Sequence, residues 1–195
     1  MTPMGVVDNL VSKLLSNRLF EEKGKGFSGM DITAINIQRG RDHGISGYNK
    51  YRQFCGLQRA SSFAEFLPEI PQTHIDKLQL VYSHPDDVDL FPGLLVETKL
   101  QGAIVGPTLA CLIGHQFRDL RTCDRFWYET GDTSLKFTAD QLTEIRGQTL
   151  SALLCRNYDE PGKIQAKGFD LMNTVTNPLG NCVDLKQIDL QHWKE

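Results

Sequence analysis

The sequence predicts a mainly α-helical protein, and three observations lead there. Apolar residues recur with a 3.6-residue period in several segments. Residues of helix-capping type stand directly in front of those segments. No run of alternating apolar and polar residues marks a series of strands. At 195 residues, with 40% hydrophobic and 23% charged residues, the chain is long enough to bury a sizeable core and too apolar for disorder.

Apolar residues at 6, 7, 10, 11, 14, 15 and 19 form one stripe of VVDNLVSKLLSNRLFE and predict a first amphipathic helix. The following KGKGFSG is turn material, and Asp31 is placed to cap the helix that begins at Ile32. Gly44 ends that helix, and Ser46 starts the next, SGYNKYRQFC. Ser62 and Glu65 have the spacing of a capping box. A short helix from Thr73 to Tyr82 should stop at His84-Pro85, before an acidic loop with Asp86, Asp87 and Asp89. Val105, Leu109, Leu112, Ile113, Phe117 and Leu120 make the most apolar stripe, which predicts a central core helix. Thr138 with Gln141 caps another helix, divided by Gly147 before SALLC. Beyond Asn157 periodicity fades, so 158–195 is expected to be an irregular tail tied down through Cys182.

Composition excludes some partners. A net charge of -3 leaves no basic footprint for nucleic acid and no polybasic surface for lipid. The longest apolar run, 102–114, carries Gly, Pro and Thr and falls short of the ~18 residues a membrane span requires. The first residues lack a basic region, and Asp8 interrupts any apolar one, so no secretory signal is expected in this chain. Five cysteines, at 55, 111, 123, 155 and 182, show no C-x-x-C spacing. They fit two disulfides and a spare thiol in an oxidising setting, or five reduced core cysteines in a reducing one.

The segment DITAINIQRGRDHG, residues 31–44, carries the chemistry. With about 100° per residue, Ile32, Ile35, Asn36 and Arg39 fall on one helix face, and Arg41 points away. A buried amide needs a hydrogen-bond partner and a buried guanidinium needs an anion. A haem with an axial histidine meets both needs: Asn36 would accept the second ring N–H of the histidine, and Arg39 would pair with a propionate. The alternative is that Asn36 bonds neighbouring backbone and the Arg/Asp pairs are salt bridges within the core. His43 returns to the Asn36 face if the helix survives Gly40, and is either an axial ligand or a capping group. Asp42, between Arg41 and His43, reads as a charge-neutralising partner.

Three stretches, AINIQRGRDHGISGYNKYRQFCG at 34–56, AIVGPTLACLIGHQFRDLRTCDRFWYE at 103–129 and LGNCVDLKQIDLQHW at 179–193, together with SNRLFE at 16–21, resemble the animal haem peroxidase family in order and over essentially the whole chain. The resemblance implies the carboxy-terminal portion of one α-helical peroxidase catalytic domain, 1–195, incomplete on its own. Asn36 would be the asparagine bonded to the iron-ligating histidine, Arg39 would reach a propionate, and Ile32 and Ile35 would pack near the macrocycle. Arg41, Asp42 and His43 would be structural residues of the helix end.

The family pattern also pairs Cys55 with Cys111 and Cys155 with Cys182, which implies a secreted setting. It leaves Cys123, where relatives commonly carry Gly, as a free thiol expected to be buried. The distal histidine, the catalytic arginine, the calcium site and the proximal histidine in its Arg-x-Gly-His context are expected in the amino-terminal half of such a domain. No Arg-x-Gly-His occurs among the residues before Asn36, and Gly114-His115 has Leu112 where the arginine should stand. His115 is thus expected to be a core or partly exposed histidine, and His74, His84 and His192 surface ones. The implied activity is oxidation of small donors by hydrogen peroxide. The competing reading is a non-catalytic remnant or interaction module.

Overall fold

In the computed structural model, which describes residues 8–158 and 162–194, the backbone is mainly helical. The helices are α1 (Lys13–Asn17), α2 (Ile32–Asp42), α3 (Tyr48–Phe54), α4 (Gln72–Gln79), α5 (Leu90–Val96), α6 (Pro107–Cys123), α7 (Ala139–Arg146) and α8 (Leu150–Asn157). Strands β1 (Lys163–Gln165) and β2 (Leu179–Asn181) pair antiparallel, with Lys163 opposite Asn181. The described residues fall into two compact units that divide at Asp119 and Leu120, within α6.

The core of the first unit is built by Tyr48, Ala60, Phe63, Phe66, Ile70, Ile75, Leu78 and Val88, with Leu94 and Val96 of α5 against it. The rings of Tyr48 and Phe63 meet Phe66 edge-on, at centroid distances of 5.4 and 6.0 Å, a favoured arrangement of aromatic quadrupoles. The buried Tyr48 hydroxyl needs an acceptor and donates to Glu97 Oε1 at 2.7 Å. Glu97 Oε2 in turn accepts the backbone N–H of Thr108 at 3.0 Å. Burial, reinforced by the carboxylate, pushes the Tyr48 hydroxyl well above the ordinary phenol range. Gly93 and Gly106 permit this approach: a Cβ at the first would run into the Tyr48 ring, and at the second into Glu97. Arg52 is also buried; it donates to Gln58 O and Glu65 O and stands 2.7 Å from Glu69 Oε2. The Cys55–Cys111 disulfide joins the end of α3 to α6.

Several expected boundaries move, each for a local reason. The first helix is a single turn capped by Ser12; positions 6 and 7 of its expected stripe lie outside the described residues, and Leu10, Leu14 and Leu15 are exposed. A stripe left mostly in solvent cannot offset the cost of propagating a short helix. Helix α3 starts at Tyr48, after Gly47 and not at Ser46, because Val88 O accepts the Tyr48 N–H at 2.8 Å and supplies what a capping side chain would. Ser62 precedes a 3-10 turn, Phe63–Phe66, without capping it; Glu65 reaches Ser61 N at 3.0 Å and Ser61 Oγ at 2.6 Å.

The expected central core helix, α6, runs 17 residues but buries only Thr108, and Ile113, Phe117 and Leu120 are exposed. Its period marks the face that favours burial and carries no information on what would cover it.

In the second unit Thr138 and Gln141 form both hydrogen bonds of the capping box, α7 ends at Gly147, and Thr149 caps α8. The described residues beyond Asn157, expected to form an irregular tail, include short regular elements. They contribute the β1–β2 pair and two 3-10 turns, and Cys182 among them is bonded to Cys155 beside Ile164. Buried Glu144 accepts Asp189 N at 3.0 Å and Lys186 Nζ at 2.9 Å, fastening this segment to α7. Cys123 is free and exposed, not buried; it is the last residue of α6, where the helix ends in solvent. No helix among the described residues is long and apolar enough to cross a membrane.

Candidate functional site at the carboxy-terminal end of α2

Helix α2 is defined at both ends by its own residues. Asp31 accepts the N–H groups of Thr33 and Ala34 at 2.8 and 3.3 Å and the Thr33 hydroxyl at 2.5 Å. The Thr33 hydroxyl, aided by those amides, holds its carboxyl below the usual range. At the other end His43 is the C-cap and Gly44 takes φ +64°. Gly44 N bonds Arg41 O at 3.0 Å, and Ile45 N bonds Gly40 O at 2.9 Å. This is a Schellman closure, which needs a left-handed residue that glycine adopts without strain.

The helix thus continues through Gly40 and brings Asn36, Arg39 and His43 to one cavity of about 310 Å³. Ile37, Gly40 and Ile45 line it from the same segment, and Asp89, Leu90, Phe91 and Leu94 from the start of α5. Ile32 and Ile35 are half-buried on α2 but do not line this cavity.

Position on α5 is set by an ion pair. Arg41 donates Nε and NH2 to the two oxygens of Asp89, at 3.0 and 2.6 Å, and Tyr82 donates its hydroxyl to the same carboxylate at 2.8 Å. The guanidinium holds the Asp89 carboxyl below its usual range, and the carboxylate holds Arg41 well above its own. Asp42, expected to neutralise its neighbours, instead accepts Gln38 Nε2 at 2.7 Å. The physical reason is direction: Arg41 leaves α2 on the side facing α5, where Asp89 waits, and Asp42 faces one turn back along its own helix.

Two polar groups at the cavity are left over. Among the described residues no hydrogen bond reaches the half-buried Asn36 side chain. Arg39, expected to be a buried guanidinium, is exposed at the cavity rim, as is His43; its NH2 lies 3.0 Å from His43 Nε2, and it has no carboxylate partner among those residues. Chemically, the site offers one amide that can accept an N–H and one cation that can take a carboxylate, above an apolar wall. Asp89 and the α5 residues Leu90, Phe91 and Leu94 were absent from the expected site. The only sequence signal for them was an acidic loop whose partner stood 48 positions away.

The remaining histidines stand apart from this cavity. His115 is half-buried with its ring 5.0 Å from that of Phe54, His74 is half-buried, and His84 and His192 are exposed.

The chain and its fold have counterparts among known proteins. The family model for animal haem peroxidase matches residues 1–169. The chain is 40% identical over 188 residues to a peroxidasin homolog of Caenorhabditis briggsae, covering 94% of this chain and 14% of that protein. It is 39% identical over 165 residues to a peroxidase of Drosophila melanogaster, covering 85% of this chain and 24% of that one. Peroxidase A from Dictyostelium discoideum, a solved structure, superposes with a TM-score of 0.58 at 33% identity, over 76% of this chain and 28% of its own. The chain therefore spans a minor part of these relatives, 14% to 28% of their length. A family model that matches most of the chain, relatives about 40% identical and a helical fold shared with a solved peroxidase converge on one assignment, and the chain belongs to the animal haem peroxidase family.

Proposed function

We propose that this chain is the carboxy-terminal part of a haem peroxidase catalytic domain, in which α2 forms the support beneath the iron-ligating histidine. The observation that carries the reading is the pair of unanswered groups in the α2 cavity: Asn36, an amide with no partner, and Arg39, a guanidinium with no carboxylate among the described residues. A histidine-ligated porphyrin with propionates completes both, since it brings one imidazole N–H and two carboxylates. When bound, the haem supplies the redox chemistry by which hydrogen peroxide oxidises small donors.

The chain's own residues act around that centre. Asn36 would accept the N–H of the iron-ligating imidazole and so fix its tautomer and ring orientation. Arg39 would hold a propionate in a charge-assisted contact. Ile37, Ile45, Phe91 and Leu94 keep water from the apolar side. Ile32 and Ile35 back the same helix one turn earlier. Arg41 and Asp89 hold α2 against the start of α5. The peroxide-activating histidine and arginine, the axial histidine and the calcium ligands belong, on this reading, to the amino-terminal half of the domain. The disulfides and the peroxidasin relatives support an extracellular setting.

The test is to express the longest transcript containing this sequence and assay peroxide-dependent oxidation of a phenolic dye. The expected product carries an Arg-x-Gly-His upstream, shows the Soret band of axial histidine ligation and is active. A longest product that binds haem with neither signature, and oxidises nothing, would replace this reading by that of a non-catalytic module.

A further inference from the structure

Two arginines leave the end of α2 and meet different partners. Arg41 closes on Asp89 through two hydrogen bonds, so its charge is answered within the chain. Arg39 meets His43 instead, NH2 to Nε2 at 3.0 Å. A guanidinium carries only donors, so Nε2 must present its lone pair and the ring proton must sit on Nδ1. An imidazole in that form accepts a hydrogen bond but supplies no counter-charge. The contact thus orients Arg39 and leaves its positive charge available.

The surroundings do not draw Arg39 elsewhere. Asp42, on the same helix, is engaged by Gln38. Asp89, across the cavity on α5, is engaged by Arg41 and Tyr82. His43 is itself placed by backbone, because its N–H bonds Arg39 O and the left-handed Gly44 closes the helix behind it.

We propose that His43 is a positioning residue for Arg39: in its Nδ1–H tautomer it holds the guanidinium at the rim of the α2 cavity, ready for an incoming carboxylate. That the carboxylate is a porphyrin propionate rests on the reading in the preceding subsection; the tautomer and the orientation of Arg39 do not. The arrangement gives a purpose to a histidine four residues after Arg39, one helical turn on, where its ring comes within reach of the guanidinium.

Two measurements on the full 195-residue chain test this. Nitrogen NMR of the imidazole, assigned by loss of the signal in His43→Gln, is expected to show the proton on Nδ1, with an Nε2 shift that moves in Arg39→Gln. A proton on Nε2 overturns the proposal. The second is an absorbance titration with haemin and with haemin dimethyl ester, whose propionates are blocked.

The natural chain should prefer haemin by about tenfold, as expected for one charge-assisted contact. Arg39→Gln should abolish the preference, and His43→Phe should remove most of it. His43→Gln, whose amide oxygen still accepts, should keep it to within about twofold. If His43→Phe retains the full preference while Arg39→Gln loses it, the positioning role is overturned and the propionate reading stands. If the natural chain shows no preference for haemin, the propionate reading of this cavity falls, and with it the purpose proposed for His43.

Discussion

At the scale of single residues, the α2 region separates side chains that hold structure from those without a structural partner among the described residues. Asp89 belongs to the first kind. Its carboxyl is held below the ordinary range, first by Arg41 and then by Tyr82, so it contributes stability that is present above the usual carboxylate range and lost as pH falls through the lowered value. Asp89→Asn is expected to lower stability by about 1–2 kcal/mol near neutral pH, discounted because Arg41 is largely exposed. Urea unfolding at about pH 7 and about pH 2 checks this: the gap between natural and variant chain should narrow at the acid end. Asn36 belongs to the second kind. In the full-length product, Asn36→Asp should push more electron density through the axial imidazole and lower the iron reduction potential, read by spectroelectrochemistry. An unchanged potential would remove Asn36 from the role proposed for it.

At the scale of elements, the ends were easier to foresee than the faces. Asp31, Gly44, Thr138 and Gly147 do as their residue types suggest, because caps and left-handed turns depend on atoms within a few positions. Ser46 and Ser62 do not cap, because Val88 O, a carbonyl 40 positions from the Tyr48 N–H it accepts, and a neighbouring serine, Ser61, took part instead. Thr138→Ala should cost about 1 kcal/mol in thermal or denaturant unfolding of the second unit. Tyr48→Phe should cost more, about 2–3 kcal/mol, since it leaves the buried Glu97 carboxylate one donor short. Equal losses in these two variants would argue that the Glu97 bridge is not the polar anchor of the first unit. Nothing local pointed to Glu97, a carboxylate that joins α3, α5 and α6 from positions 49 and 11 residues distant from its partners.

At the scale of the whole molecule, large apolar side chains remain exposed in places where periodicity called for burial, including Leu14, Ile113, Phe117 and Leu120. Solvent-facing stripes of this kind are the mark of an interaction surface, and they accord with a chain that matches only a minor share of its relatives' length. The isolated chain should bind a hydrophobic dye such as anilinonaphthalene sulfonate, and the fluorescence should fall several-fold in the full-length product. Reduction of Cys55–Cys111 should cost about 4 kcal/mol by loop entropy, seen as a lower unfolding midpoint in dithiothreitol. The sequence by itself determined helical class, the caps at Asp31, Gly44 and Thr138, family and the placing of Asn36 and Arg39 on one side of α2, because these depend on period, residue type and motifs held within a few turns. Only the tertiary structure decided that Arg41 spends its charge on Asp89, that Arg39 leans on His43, that Glu97 is the buried anchor and that Cys123 lies in solvent. Those outcomes depend on which distant segments meet, and no pattern of neighbours along a chain encodes the partner of a charge 48 residues away.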